Sequence, residues 1–374
     1  MATATPAHVV QQSSFADYYF RVTGSNHLTG LKQKFHKLCE RSGIRSRHMV
    51  ITEELLKANP AICENAGKSL DVRQEVACTE IPKLAKETAE KAVAAWGQPM
   101  SRLTHLLFFS GSSGDMPGAD VKLANMMGLG AGVKRMMFYM QGCATGAGLL
   151  RVAKELSESN EEFRLLVLCG DVGTVSTFRS PSGPLDTGTL IGQSFAGDGM
   201  AALIVGSSPS QGENILFQIH TCLSHLIPHT ETFAYGHLTE AGLTLSLSRD
   251  FPHIVADTLS HLLATSVDLK GYLGVQAITP DVLNSCFWAV HSGGRLTLDL
   301  VEEKLGLKPD RLKTTREMYA EHGNMGACTV IFALEQVLYQ DLQKGRSGPS
   351  WGLAVGYGPG ISIEVVLLRA VHVA

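Results

Sequence analysis

The chain has 374 residues, 44% of them hydrophobic and 18% charged, a composition that builds a compact core and excludes a disordered or collagenous chain. With 32 basic against 35 acidic side chains, the formal charge of −3 supplies no positive field for a nucleic acid partner. The length corresponds to about two domains or one large duplicated unit.

Residues 1–100 are expected to be mainly helical, because polar and apolar positions recur at helical spacing in FADYYFRV, HLTGLKQKFHKLCERSG and IPKLAKETAEKAVAAWG. The texture then changes to short apolar runs ending in Gly or Ser turns: THLLFFSGSSGD (104–115), RMMFYMQGC (135–143), RLLVLCGD (164–171) and MAALIVG (200–206). Strands alternating with helices predict an α/β layered fold. The polar stretch 207–214 reads as a linker, separating a first half, 1–206, from a second, 215–374. After it the pattern recurs: CFWAVHSGG echoes THLLFFSGSSG, HGNMGACTVIFALEQVL echoes RMMFYMQGCATGAGLLRVAKEL, and GYGPGISIEVVLL echoes GDGMAALIVG. Two related layers are therefore expected, with an active site where their turns meet.

No apolar run approaches the roughly 20 residues that span a bilayer, and MATATPAHVVQQ lacks the charged and apolar regions of a signal peptide, so the cytosol is the expected compartment and no membrane partner is expected. The 8 cysteines include no C-x-x-C pair, which predicts neither a disulfide framework nor a metal site.

One cysteine is placed for chemistry. Cys143 follows an apolar strand and precedes a helix, in the small-residue turn Gly142-Cys143-Ala144-Thr145-Gly146, where the helix end is expected to lower its pKa. His291 follows the strand CFWAV and precedes Ser292-Gly293-Gly294; Asn324 occupies in the second half the place of Cys143 in the first. Each also has a plain structural role open to it, as a buried thiol, a satisfied histidine and a helix N-cap. The order Cys, His, Asn fits a papain-like hydrolase too, although GCATGAG does not match that family's local signature. Between Lys32 and Arg47, six basic residues face the single acid Glu40; Lys34, Lys37 and Arg41 fall on one helical face, either a solvated surface or a cradle for phosphates.

GADVKLANMMGL, MQGCATGAGLLRVAKEL, GHLTEAGLTLSL, FWAVHSGG, HGNMGA and GYGPG, with FADYYFRVTGSNHLTGLKQKF and WGQP, resemble the plant chalcone and stilbene synthase family, the type III polyketide synthases, over nearly the whole chain. The resemblance implies a thiolase-like duplicated layered fold (αβαβα) with mixed sheets, and decarboxylative condensation of malonyl-CoA with an acyl-CoA starter. It implies Cys143 as the nucleophile, His291 and Asn324 as its partners, Lys34, Lys37 and Arg41 as CoA-binding positions, no permanent cofactor and no metal. Met116 matches a residue that in this family reaches into the neighbouring subunit's cavity, so a homodimer is implied. The resemblance starts inside MATATPAHVV, without the family's N-terminal helix.

The differences from the family lie around the cavity. Ala196 and Leu245 stand where two gate phenylalanines are usual, Gly111 where a threonine and Gly326 where a serine are common; Gly192 and Gly236 are further cavity positions. The four exchanges reduce side-chain volume and predict a wide entrance, with Phe195 able to swing into the gap. A wide entrance suits bulky aromatic starters and points to the curcuminoid or diarylpentanoid branch, which joins two aryl-acyl units; alkylresorcinol, alkylpyrone and chalcone-type products are the alternatives.

Overall fold

A computed structural model describes residues 1–343 and 350–371. In chain order the strands are β1 (Ala2–Ala4), β2 (Val9–Gln11), β3 (Ser46–His48), β4 (His105–Ser110), β5 (Lys134–Tyr139), β6 (Leu165–Asp171), β7 (Gly199–Val205), β8 (Phe217–Leu226), β9 (Ala234–Thr239), β10 (Gly242–Leu247), β11 (Phe287–Val290), β12 (Trp351–Gly358) and β13 (Ser362–Ala370). The runs picked out by their apolar character become β4 to β7, and β1 to β3 interrupt the expected helical first hundred residues with short pairings.

Two sheets repeat one topology. The first has the order β1-β7-β6-β4-β5, the second β11-β12-β13-β8. In the first, β4 and β6 are parallel, β6 and β7 antiparallel, and β7 and β1 antiparallel. The second repeats this with β11 and β12, β12 and β13, and β13 and β8. Among the described residues β5 has no counterpart, so β11 forms the sheet edge where β4 has a neighbour. Asn324 is reached instead from the helix Lys313–His322.

Alternation along the strands divides the interior into layers. Leu106 and Phe108 of β4 join Leu166 and Leu168 of β6 in an outer cluster beneath the long helix Leu70–Trp96, while Leu107, Phe109, Leu165 and Val167 face the middle of the molecule. In the second sheet Leu353, Val355, Ile363 and Val365 face outward onto the helices Phe251–Thr265 and Arg295–Leu305, and Ala354 and Val366 face inward. The middle layer is a pair of helices, Thr145–Ser157 and Thr329–Gln343, wedged between the sheets. Strands covered on both faces explain why these segments are near-continuous apolar runs. The result is the αβαβα arrangement.

The two middle helices meet through a glycine. A Cβ on Gly146, three residues after Cys143, would collide with the Ala327 carbonyl, three residues after Asn324. The segment 207–214 that joins the halves is held firmly: Glu213 accepts from Arg164 Nε at 2.7 Å, Arg164 Nη2 at 2.8 Å and Trp96 Nε1 at 2.9 Å. No described helix is long and apolar enough to cross a membrane.

Candidate active site

β5 and the helix Thr145–Ser157 are joined by a tight turn in which Met140 and Gly142 both adopt positive φ, 55° and 76°. The end of β12 presses against it: a Cβ on Gly358 would lie 2.8 Å from Ala144 N and 2.9 Å from Cys143 N, and one on Gly142 would lie 2.7 Å from Pro359. Glycines at 142 and 358 thus let the two halves close around Cys143. Cys143 retains some surface, but desolvation, reinforced by the nearby Asp171 carboxylate, pushes its thiol up to about 12. This reverses the expectation of a thiol lowered by a helix end. The helix begins two residues beyond the cysteine, and the dipole's partial charge is outweighed by removing a full charge from water.

His291 continues β11, donating its backbone N–H to Val355 O at 2.7 Å. Its residue is 1% exposed, and its ring lies edge-on to Tyr357 with centroids 5.0 Å apart. Burial pulls the imidazole down to about 3, opposed by the Gly326 carbonyl, which favours the protonated ring. Nδ1 is buried without a partner. Asn324 is clamped by its backbone, donating to Phe195 O at 2.7 Å and accepting from Gly197 N at 2.9 Å. Its Oδ1 accepts from Gly326 N at 2.8 Å, which turns the amide NH2 away from that contact; among the described residues the NH2 meets no protein acceptor.

These three residues share walls. The Tyr357–Gly358 end of β12 touches the His291 ring on one side and the Cys143 backbone on the other. Gly326 bonds the Asn324 side chain and offers its carbonyl to His291. Burial favours the neutral forms of both the thiol and the imidazole. Transfer of one proton from sulfur to the ring makes the nucleophile without changing the site's net charge.

A fourth group was missed in the sequence. Asp171 closes β6 beside Cys143, with Oδ1 accepting from Ser110 Oγ at 2.9 Å, Gly111 N at 2.6 Å and Ser112 Oγ at 3.0 Å. Burial raises this carboxyl to about 6 against those bonds and a further one from the Ser112 backbone N–H. The available signal was the lone acid ending RLLVLCGD, at the carboxyl end of a strand where α/β sheets place ligands. Gly111 and Gly326 flank it: a Cβ on either would lie 3.5 Å from Oδ2.

The remaining expected positions separate into two groups. Gly192 and Ala196 belong to the end of the helix Thr187–Phe195, where Ala196 N donates to Gly192 O at 3.3 Å and Ala196 bridges to Asn324. Leu245 and Gly236 are cross-strand partners in the β9–β10 hairpin, and Leu245 is 52% exposed, so this gate position lies on an open face of the chain. Met116 is 97% exposed and reaches no cavity of its own chain.

The basic run is also narrower than its sequence suggests. Lys32 pairs with Asp17 and Arg45 with Glu321. Arg47 is fully buried, its Nη1 holding Gln193 O at 2.8 Å and Ala196 O at 2.7 Å. Lys34, Lys37 and Arg41 remain exposed on the helix Thr29–Arg41, without a carboxylate partner among the described residues, opposite buried Leu31, Phe35 and Cys39. Just beyond that helix, a Cβ on Gly43 would lie 3.7 Å from Arg295 Cδ, which brings the basic face toward the loop that follows His291.

Comparison with protein families gives two matches that together account for nearly all of the chain. One is described as Chalcone and stilbene synthases, N-terminal domain, over residues 1–209; the other as Chalcone and stilbene synthases, C-terminal domain, over residues 218–372.

Proposed function

This chain belongs to the chalcone and stilbene synthase family, and we propose that its own condensation runs on Cys143, His291 and Asn324 with a bulky aromatic acyl-CoA as starter. The chain is a type III polyketide synthase, a CoA-dependent acyltransferase with the thiolase-like fold, and the family uses CoA thioesters as substrates without a permanent cofactor.

The observation that carries the assignment is the shared wall of Tyr357, Gly358 and Gly326 around the three side chains. In the first step the Cys143 proton passes to His291 and the sulfur attacks the starter thioester, forming an acyl-enzyme and expelling the CoA thiolate, which takes up a proton. Malonyl-CoA then loses carbon dioxide, and the electron pair of the broken C–C bond becomes an enolate. The protonated imidazole and the Asn324 NH2 are the donors that stabilise its oxygen. The enolate carbon attacks the thioester carbonyl, the C–S bond to Cys143 breaks, and a diketide two carbons longer leaves on CoA. Lys34, Lys37 and Arg41 are the cations assigned to the CoA phosphates, supported by their exposure and lack of acidic partners.

The small residues Gly111, Ala196 and Gly326 support a product that joins two aryl-acyl units into a diarylpentanoid. Incubation with malonyl-CoA and two different aryl-acyl-CoA esters, read by mass spectrometry, is expected to give a bis-aryl product. Chalcone, alkylresorcinol or pyrone products alone refute this. A homodimer in the cytosol completes the reading, supported by the exposed apolar side chains of Met116, Met136 and Met140; sedimentation giving a single-chain mass refutes it.

A further inference from the structure

Arg47 is a charge placed where packing alone favours an apolar side chain. It is fully buried, its Nε and Nη2 have no partner, and no carboxylate pairs with it among the described residues. Burial pulls the guanidinium down to about 10, which leaves it protonated at neutral pH. A desolvated charge of this kind is costly, and apolar side chains of similar volume fill such spaces at lower cost.

The bonds it does make go to the helix that ends at the gate position Ala196. Nη1 donates to Gln193 O at 2.8 Å and to Ala196 O at 2.7 Å, the carbonyls on either side of Phe195 at the C-terminal end of the helix Thr187–Phe195. Carbonyls at a helix end lack intrahelical donors and concentrate negative potential, which a cation satisfies. Phe195 O, between them, is left for the Asn324 N–H at 2.7 Å, and Gly197 N donates to Asn324 O at 2.9 Å. The stem of Arg47 closes the same joint: a Cβ on Gly323 would lie 2.5 Å from Phe195 O and 3.0 Å from Arg47 Cδ. On its other side, β3 is fixed to the helix that delivers Asn324, since Arg45 N donates to Ala320 O at 2.6 Å and Ser46 Oγ to Glu321 O at 3.0 Å.

We infer that Arg47 is a positioning residue for the decarboxylation step, its two bonds holding residues 193–197 in the place that aims the Asn324 amide at the enolate oxygen. The inference rests on Asn324 being an oxyanion donor. Cys143 is held separately, by Gly358 and Pro359 at the end of β12, so its acylation lies outside this clamp.

The test separates the two half-reactions in the full chain carrying Arg47→Met or Arg47→Lys. Methionine fills the space without donors; lysine keeps the charge but replaces a planar fork with a single ammonium. Acylation of Cys143 by benzoyl-CoA is followed by intact mass, and malonyl-CoA decarboxylation by release of carbon dioxide. In Arg47→Met, kcat for decarboxylation is expected to fall by about 10–10²-fold, the scale of an ångström-sized misplacement, with KM for malonyl-CoA within about twofold and the acylation rate retained. Arg47→Lys is expected to recover part of the loss, and carries the test if the methionine variant does not fold. Adding Asn324→Ala to either variant identifies the route. If Arg47 acts through the amide, the double variant is no slower than Asn324→Ala alone, whereas a packing role adds its own loss. Acylation and decarboxylation falling together, decarboxylation unchanged in both variants, or additive losses overturn the inference. Decarboxylation that survives Asn324→Ala refutes the reading beneath it as well; a loss in Asn324→Ala with none in the Arg47 variants removes the role of Arg47 alone.

Discussion

The two halves repeat a strand order but reach the site differently. In the first half β4 is flanked by β5, and the chain leaves β5 directly into the Cys143 turn. In the second half β11 is an edge strand, and Asn324 arrives from a helix, held by backbone bonds to Phe195 and Gly197 that cross from the other half. A nucleophile carried on a strand end of its own sheet is positioned by its own half. An amide carried on a crossover outside its own sheet, and bridged to Ala196, is positioned by its partner half. The second half therefore contributes His291 and Asn324, but the first half supplies the frame that holds Asn324 in place.

The sharpest way to test this division is to remove the nucleophile. Cys143→Ala is expected to lower condensation by on the order of 10³-fold or more, with the circular dichroism spectrum unchanged, since the thiol makes no hydrogen bond among the described residues. Retained turnover breaks the assignment.

The joint between the halves comes next. Glu213 and Arg164 form a buried pair, at 7% and 3% side-chain exposure, that ties 207–214 to the first half. Glu213→Gln leaves Arg164 poorly matched and is expected to destabilise by roughly 3 kcal/mol in chemical unfolding, as for other broken buried pairs. The Arg164 bond holds the Glu213 carboxyl down at about 2 in the folded chain. The stabilisation it brings is thus present above the ordinary carboxylate range, near pH 4.5, and is lost as pH falls toward 2. A wild-type and a variant chain losing stability in parallel across that window contradict the role of the pair.

Asn324→Ala deletes the amide but keeps the backbone clamp. Loss of one oxyanion donor is expected to lower kcat by about 10²-fold with KM little changed. If KM rises instead, the amide binds substrate in its ground state and the comparison of Cys143 with Asn324 fails.

The smallest effects probe packing at two glycines. Gly146→Ala drives a methyl into the Ala327 carbonyl at the crossing of the middle helices and is expected to destabilise by about 1–3 kcal/mol. Gly271→Ala, in the helix Val267–Leu273 with open space around it, is expected to stabilise by about 0.4–1 kcal/mol. Thermal melting of the two variants distinguishes a contact between halves from a surface position; equal and small shifts remove the crossing as a determinant.

Much of this was legible in the chain itself. The apolar runs ending in Gly-Ser turns marked β4, β6, β7 and β11, because strands covered on both faces need continuous hydrophobic side chains. The recurrence of GDGMAALIVG in GYGPGISIEVVLL corresponds to β7 and β13, which sit at the same place in their sheets. Cys143, His291 and Asn324 stood out at element ends, and the family motifs named them together. Other properties left no local trace. Arg47 belongs to a basic run by sequence yet is buried against the Gln193 and Ala196 carbonyls. Leu245 reads as a gate and lies on the open face of a hairpin.

The amino-acid sequence by itself determined the layered α/β class, the doubling of the unit and the residue types gathered for thioester chemistry, because periodicity and turn chemistry are local. What the folded arrangement alone fixed is the direction in which burial shifts Cys143 and His291, the approach to Asn324 from a helix among the described residues, and the placing of Asp171 between Gly111 and Gly326. Each of those depends on burial and on contacts between segments far apart in the chain, and the work of moving a charge out of water is set by what surrounds it in space, whichever residues precede and follow it.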